Sequence, residues 1–345
     1  MLRAIACVAA VASAAGPAAA LEIVVPAYFY PGPLWSQMNT AAGQVPLTAI
    51  MNPFNGPGNA PDNNYTNAVD GLRSAGGRVI GYVYSGYGSR PLAEVTADID
   101  RYASWYGIDG IFVDEMANTG PAERLNYYKA IYDHVKSIDP QWEVMGNPGT
   151  TTIEQYLTWP TADRLMVFEN VGAAYPGSSP SAWTAGHDNE HFVNLVHTES
   201  STTNMLAALD QAVAQNVGAI YVTHDALPNP WDTLPTYWTS EVARVAEINA
   251  SYSPADFNQD GAVDGDDLAR WTTNFGSAGV AGKFGDATND GVVDGADLLV
   301  WQRQLSSIPL VQPALQYVPE PSSVTLIAMT ATLVVCCTQR KQAPR

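Results

Sequence analysis

Cysteine is almost absent from this chain. Of 345 residues three are cysteine, Cys7, Cys336 and Cys337, so residues 21–323 hold none and no disulfide framework can brace them. Charge is scarce as well, at 14% of residues, and basic charge is the scarcer sign. Residues 21–250 carry 24 acids against 9 bases, and residues 251–310 carry 9 against 3. That balance argues against a basic patch for nucleic acid or anionic lipid, and fits a neutral or cationic substrate better. No glycine-rich phosphate fingerprint follows any predicted strand. What is abundant is core material: 46% hydrophobic residues, 9 Trp and 17 Tyr, enough for one large globular domain and something smaller.

The two ends read as processing signals. Met1-Leu2-Arg3, the apolar run Ala4–Ala15 and the small-residue end Ala18-Ala19-Ala20 predict a secretory signal peptide over residues 1–20 and hence an exported protein. At the other end Val318-Pro-Glu-Pro-Ser-Ser is followed by about fourteen apolar or small residues, Val324 to Cys337, and a basic tail with Arg340 and Lys341. That run is shorter than the roughly 20 residues a comfortable spanning helix needs. Motif, short apolar run and basic end resemble the PEP-CTERM sorting signal. The resemblance implies, for residues 311–345, a transient membrane anchor, a sorting protease of the exosortase type and a cell-surface or extracellular destination; an ordinary C-terminal anchor is the alternative.

Between residues 21 and 250, short β-rich apolar runs alternate with helical patterns. The candidate strands are Ile23–Tyr28, Leu47–Asn52, Arg78–Tyr84, Gly110–Glu115, Trp142–Asn147, Arg164–Glu169, His191–His197 and Ala219–His224, with helices predicted over Ala93–Trp105, Glu123–Ile138 and Asn204–Gln215. Near-continuous apolar strands alternating with helices imply a parallel sheet. Eight such units in about 230 residues predict an α/β fold of the (β/α)8 TIM-barrel kind, with a doubly wound open sheet as runner-up.

In such a barrel the active site lies at the C-terminal ends of the strands, so polar residues there read as chemistry and mid-strand residues as packing. Asp114 and Glu115 end the fourth strand and Glu169 the sixth, in LMVFEN; we take these three as catalytic candidates. Tyr28, Tyr30, Asn52, Tyr84, Asn147, His197 and His224 stand at or near other strand ends as substrate-binding candidates. Trp35, Tyr82, Tyr87, Tyr175, Trp183 and Trp231 supply aromatic surface, part of it core and part available to sugar rings. Paired carboxylates are what glycoside hydrolysis needs, one protonated for the leaving oxygen and one ionised to attack or to activate water. A competing pattern, His187-Asp-Asn-Glu190-His191, has the H-x-x-E-H form of some metalloproteases, but it runs straight into a strand and lacks the helix that chemistry requires.

The segments VPAYFYPG (25–32), AIMNPFNGPG (49–58), VIGYVYSGYGSR (79–90), YGIDGIFVDEM (106–116), GNPGT (146–150) and VFEN (167–170) together resemble the Spherulin-4 family across nearly all of residues 21–250. That family is related to glycoside hydrolase family 135, endo-acting enzymes that cleave α-1,4-linked N-acetylgalactosamine. The resemblance implies a (β/α)8 fold, no barrel cofactor, an amino-sugar polysaccharide as substrate, and a catalytic trio falling on Asp114, Glu115 and Glu169. In an α-linked 2-acetamido sugar the acetamido group is cis to the leaving group and cannot attack from behind, so two enzyme carboxylates would be required. The rival expectation is a non-catalytic carbohydrate-binding or cell-surface structural protein.

From Asp256 the chain reads DFNQDGAVDGDDL and, 30 residues on, from Asp286, DATNDGVVDGADL. Each offers oxygen ligands at loop positions 1, 3, 5, 7, 9 and 12 with Gly at 6, the spacing of an EF-hand calcium loop. The first set is Asp256, Asn258, Asp260, the Ala262 carbonyl, Asp264 and Asp267; the second is Asp286, Thr288, Asp290, the Val292 carbonyl, Asp294 and Asp297. Asp at position 12 before Leu268 or Leu298 resembles a type I dockerin, a small all-α domain over residues 251–310 holding two Ca²⁺. The resemblance implies a cohesin-bearing scaffold as partner; a calcium-folded spacer is the alternative.

Overall fold

The computed structural model describes residues 21–118, 122–251, 253–257, 263–277, 285–288 and 290–305. The expected signal peptide, the sorting tail and the loop ligands Asn258, Asp260 and Ala262 lie outside the described residues. Eight strands close into a barrel: β1 (Glu22–Ala27), β2 (Leu47–Met51), β3 (Arg78–Tyr84), β4 (Gly110–Asp114), β5 (Glu143–Gly146), β6 (Arg164–Val171), β7 (Phe192–His197) and β8 (Ala219–Val222). Every neighbouring pair is parallel, and β1 closes on β8 through Ile23 opposite Ile220. The closed ring excludes the open doubly wound sheet. Strands buried on both faces explain the continuous apolar runs: all five residues of β2 and the first four of β4 are buried.

Helices cover the barrel: α1 (Pro33–Ala42), α2 (Asn63–Ser74), α3 (Leu92–Trp105), α4 (Ala122–Ile138), the short α5 (Gln155–Thr158), α6 (Thr202–Ala214) and α7 (Trp238–Ser251). Asp62 caps α2 by accepting from the Asn64 N–H at 2.8 Å, and Ser201 caps α6 by accepting from the Asn204 N–H at 3.3 Å. At Gly110 a side chain would meet the Glu143 carbonyl at 2.2 Å, so only glycine lets β4 approach β5 there.

The N-terminal end of the barrel is closed by charge rather than by hydrocarbon. Glu22, Arg78, Glu143 and Arg164 begin β1, β3, β5 and β6. Arg164 reaches Glu22 at 2.6 Å and Glu143 at 3.7 Å, Arg78 reaches Glu143 at 2.5 Å, and Thr48 donates to Glu22. Burial opposes ionisation of Glu143, but the Arg164 and Arg78 guanidinium groups hold its carboxyl below the usual range. Arg164 and Glu169 are five residues apart, an odd spacing that would set them on opposite faces of a regular strand. The register of β6 against β7 slips between Met166 and Phe168, one residue gained, and this resets the alternation so that both side chains reach the barrel interior.

Beyond the barrel, α8 (Gly265–Asn274) and α9 (Gly295–Leu305) belong to a separate hydrophobic cluster of Ala255, Phe257, Val263, Ala287 and Trp301. The 30-residue repeat is visible as reciprocal hydrogen bonds: the Trp271 indole N–H donates to the Asp294 carbonyl and the Trp301 indole N–H to the Asp264 carbonyl, each at 2.9 Å. Among the described residues, no helix is long and apolar enough to cross a membrane.

Candidate active site

The site forms where β3, β4, β5 and β6 end. β4 stops on Asp114, and each of its carboxylate oxygens accepts a hydrogen bond: Oδ2 from the Tyr82 hydroxyl at 2.8 Å and Oδ1 from Asn147 Nδ2 at 2.8 Å. The same Nδ2 donates to Glu169 Oε2 at 2.7 Å. Two acids therefore share one carboxamide nitrogen, and the oxygens it touches lie no further apart than the two contacts end to end, about 5.5 Å. Backbone pairing fixes that nitrogen: the Asn147 N–H donates to the Val113 carbonyl and the Met116 N–H to the Asn147 carbonyl, both at 2.9 Å, continuing the β4–β5 ladder past its last strand residues. Gly149, at φ +64°, turns the chain so that its carbonyl accepts the Glu169 N–H at 2.9 Å, a conformation that favours glycine.

Burial pushes the Glu169 carboxyl up to about 7; the Asn147 hydrogen bond opposes the shift and the nearby Asp114 charge adds to it. Burial likewise drives the Tyr28 hydroxyl well above its ordinary value, with Asp114, Tyr82 and Glu169 adding, so Tyr28 belongs to the same constellation. Its ring meets Tyr82 edge-on at 5.5 Å.

Glu115 differs from its neighbour. It adopts φ +51°, a left-handed conformation that costs a non-glycine residue on the order of 1 kcal/mol or more. Its carbonyl accepts from Ser85 Oγ and from the Tyr87 N–H, each at 2.7 Å, and these contacts hold the strained turn. Its carboxylate has no hydrogen-bond or ion-pair partner among the described residues. Nothing in the sequence flagged the strain, or Ser85 as its support.

Glu169 opens onto a cleft of about 430 Å³ between the loop 52–55 after β2 and the loop 227–231 after β8. Tyr28, Asn52, His197 and Trp231 line it with Glu169. Asn52 Oδ1 accepts the Gly56 N–H at 2.9 Å, which shapes the first loop. His197, its basicity lowered by burial, lies 2.9 Å from Thr198 Oγ1 through Nδ1 and meets Trp231 edge-on at 5.9 Å.

Other expected binding residues fall elsewhere. Tyr30 is exposed beside α2, donating to Asp62 and accepting from Asn64, both at 2.7 Å. Tyr84 lies under the Arg90 guanidinium, 4.1 Å from its ring centre, with Arg90 paired to Asp98. His224 packs on Tyr237 at 6.4 Å with a buried Nδ1 that lacks a partner, and is not part of the cleft wall. Of the aromatics, Trp35 and Tyr175 are core, at 2% and 1% exposure. The H-x-x-E-H stretch enters β7 at its N-terminal end, across the barrel from these acids: His187 Nε2 lies 2.8 Å from Glu154 Oε1, and His191 Nδ1 lies 2.7 Å from the Asp163 carbonyl. Phe54, Leu227 and the bridging role of Asn147 were not foreseen. Exposure and bridging are properties of neighbours in space, not of spacing along the chain.

Residues 22–245 match the family described as Spherulation-specific family 4. Spherulin-4 of Physarum polycephalum is 33% identical over 240 residues, spanning 66% of this chain and 71% of that protein. Among solved structures, Aspergillus clavatus Sph3 in complex with GalNAc superposes with a TM-score of 0.60 at 27% identity, covering 66% of this chain and 98% of that one. Alpha-L-fucosidase isoenzyme 2 from Paenibacillus thiaminolyticus, at TM-score 0.50 and 10% identity over 68% of this chain and 49% of that one, shares the barrel fold.

Proposed function

Since this chain belongs to Spherulation-specific family 4, we propose that its barrel is a carbohydrate-active enzyme, a glycoside hydrolase cutting internal bonds of an amino-sugar polysaccharide of the α-1,4-linked N-acetylgalactosamine or galactosamine type. The observation that carries this reading is the Asn147 nitrogen shared by Asp114 and Glu169, with Glu169 pushed up to about 7. A carboxyl poised near 7 can donate a proton at neutral pH. Asp114, an acceptor at both oxygens, is suited to act as the carboxylate.

The limit of about 5.5 Å between the bridged oxygens fits the short spacing of retaining enzymes, near 5–5.5 Å, and not the roughly 6.5–9.5 Å of inverting ones. In the first step Glu169 protonates the glycosidic oxygen as the C1–O bond breaks, and Asp114 bonds to C1. In the second, Glu169 takes a proton from water, the hydroxyl bonds to C1 and the Asp114–C1 bond breaks. A second assignment puts Glu115 in the nucleophile's place, favoured by its strained backbone and by a carboxylate without a partner among the described residues.

The test is oligosaccharide release from a panel of α-linked galactosamine and N-acetylgalactosamine polymers by the wild type and by Glu169→Gln, Asp114→Asn and Glu115→Gln. One polymer should be cut, with losses of about 10²-fold or more in kcat for the first two variants. A loss confined to Glu169 and Glu115 would transfer the nucleophile's role to Glu115. Binding without cutting, equal in all four proteins, would favour the carbohydrate-binding alternative.

For the C-terminal segment we propose two bound Ca²⁺ ions. The second loop fits: Asp286 and Asp297 are fully buried, at 0% exposure. Asp286 accepts the Gly291 N–H at 2.9 Å and Asp297 accepts the Asp294 N–H at 2.7 Å, holding the loop around its acids. Bound calcium would neutralise them. A cohesin-bearing scaffold is the proposed partner of this module, and export followed by exosortase-type sorting is the proposed route to the surface; the C-terminal pattern VPEPSS before a short apolar run supports the latter.

A further inference from the structure

Phe54 and Leu227 are strongly exposed apolar side chains, at 77% and 70%, and both line the cleft that contains Glu169. Neither stands out through slack in the chain. The Phe54 N–H donates to the Gly56 carbonyl at 3.1 Å and the Gly56 N–H returns to Asn52 Oδ1 at 2.9 Å, so the turn closes on itself and leaves the ring outside. Asn55 completes it at φ +49°. Across the cleft, the loop bearing Leu227 is anchored by Trp231, which packs on His197 at 5.9 Å and on Tyr221 at 6.2 Å. Two apolar groups held in water on opposite loops of one cleft mark a surface built to be covered.

The cleft is also one-sided. Glu169 borders it, and so does Tyr82, which donates to Asp114, whereas Asp114 and Glu115 themselves do not. In a double displacement the nucleophile lies under the sugar being transferred, and the general acid reaches the departing oxygen. Space bordered by the acid and not by the nucleophile therefore belongs to the leaving group.

We propose that Phe54 and Leu227 flank the subsite for the first sugar of the leaving chain, with the Phe54 ring packing on the C–H face of that pyranose. The assignment rests on the proposed roles of Glu169 and Asp114. It deepens them by making the cleft a reader of the leaving polymer and not of the transferred unit.

The test compares kcat/KM on an α-1,4-linked N-acetylgalactosamine hexasaccharide with that on N-acetyl-α-galactosaminyl fluoride. The fluoride leaves without a proton and fills no leaving-group sugar subsite. Phe54→Ala should lower the hexasaccharide-to-fluoride ratio about tenfold, the scale of one good aromatic contact. Leu227→Ala should lower it less, and Phe54→Trp should restore it. An unchanged ratio in Phe54→Ala would overturn the assignment. Calorimetric binding of the hexasaccharide to Glu169→Gln, with and without Phe54→Ala, separates this idea from the hydrolase reading. If the wild type cleaves neither probe, the hydrolase reading has failed; weaker binding without Phe54 then still supports a sugar contact, and equal binding overturns it.

Discussion

Single residues carry the chemistry. In the proposed reaction Glu169 acts only while protonated, so hydrolysis should fall as pH rises through about 7, the value to which its carboxyl is pushed. Asn147 opposes that shift through its hydrogen bond, so Asn147→Ala should move the alkaline limb of the pH–rate profile to higher pH while lowering kcat. A limb that stays in place would detach Asn147 from the tuning of Glu169. A different buried acid governs stability. Glu241 on α7 is fully buried, accepts the Val222 N–H through Oε1 at 2.9 Å, and leaves Oε2 without a partner. Burial raises its pKa from the ordinary 4.5 to about 8. The folded state therefore holds this proton more tightly than the unfolded chain. The resulting stability is complete below about 4.5 and is lost as pH rises through about 8, a change of about 5 kcal/mol. Urea unfolding of the wild type and Glu241→Gln at pH 5 and pH 9 should show that loss in the wild type and much less in the variant.

At the scale of elements, strand positions were legible because a parallel strand buried on both faces writes itself as an unbroken apolar run, as Ile111-Phe112-Val113 does. The acids were legible because such a run ends abruptly where the barrel opens. The register slip in β6 was not legible: LMVFEN is as apolar as a regular strand, and only pairing with β7 shows that one residue is extra. Nor was the ionic plug at the other end, whose members lie up to 142 residues apart in sequence. Its energetics follow from burial. Removing one partner strands a charge, so Glu143→Ala, which leaves Arg78 and Arg164 with Glu22 alone, should destabilise the barrel by about 3–5 kcal/mol. Replacing Glu22, Arg78, Glu143 and Arg164 together with apolar residues of matched size should cost far less. Thermal denaturation of both variants tests the contrast.

At the scale of the whole molecule, two regions are stabilised by different means. The barrel rests on one large apolar cluster, and the helices α8 and α9 rest on a cluster of five buried residues beside the buried acids Asp267, Asp286 and Asp297, for which calcium is proposed. Chelation with EGTA should therefore remove helical signal belonging to residues 251–305 and leave the barrel's unfolding transition unchanged, with calcium restoring the signal. A chelator-insensitive circular dichroism spectrum would count against calcium in these loops. The duplicated loops were easy to read in sequence because ligand spacing is a local property. The crossing of the two Trp indoles onto each other's repeat was not, since each bond joins residues 23 or 37 apart.

The residue that couples the two acids is followed by Pro148. Asparagine ages when the next backbone N–H loses its proton and the nitrogen closes a succinimide ring on the side chain, which then opens to aspartate. Proline has no N–H to lose. The carboxamide between Asp114 and Glu169 is thereby shielded from slow conversion into a third acid.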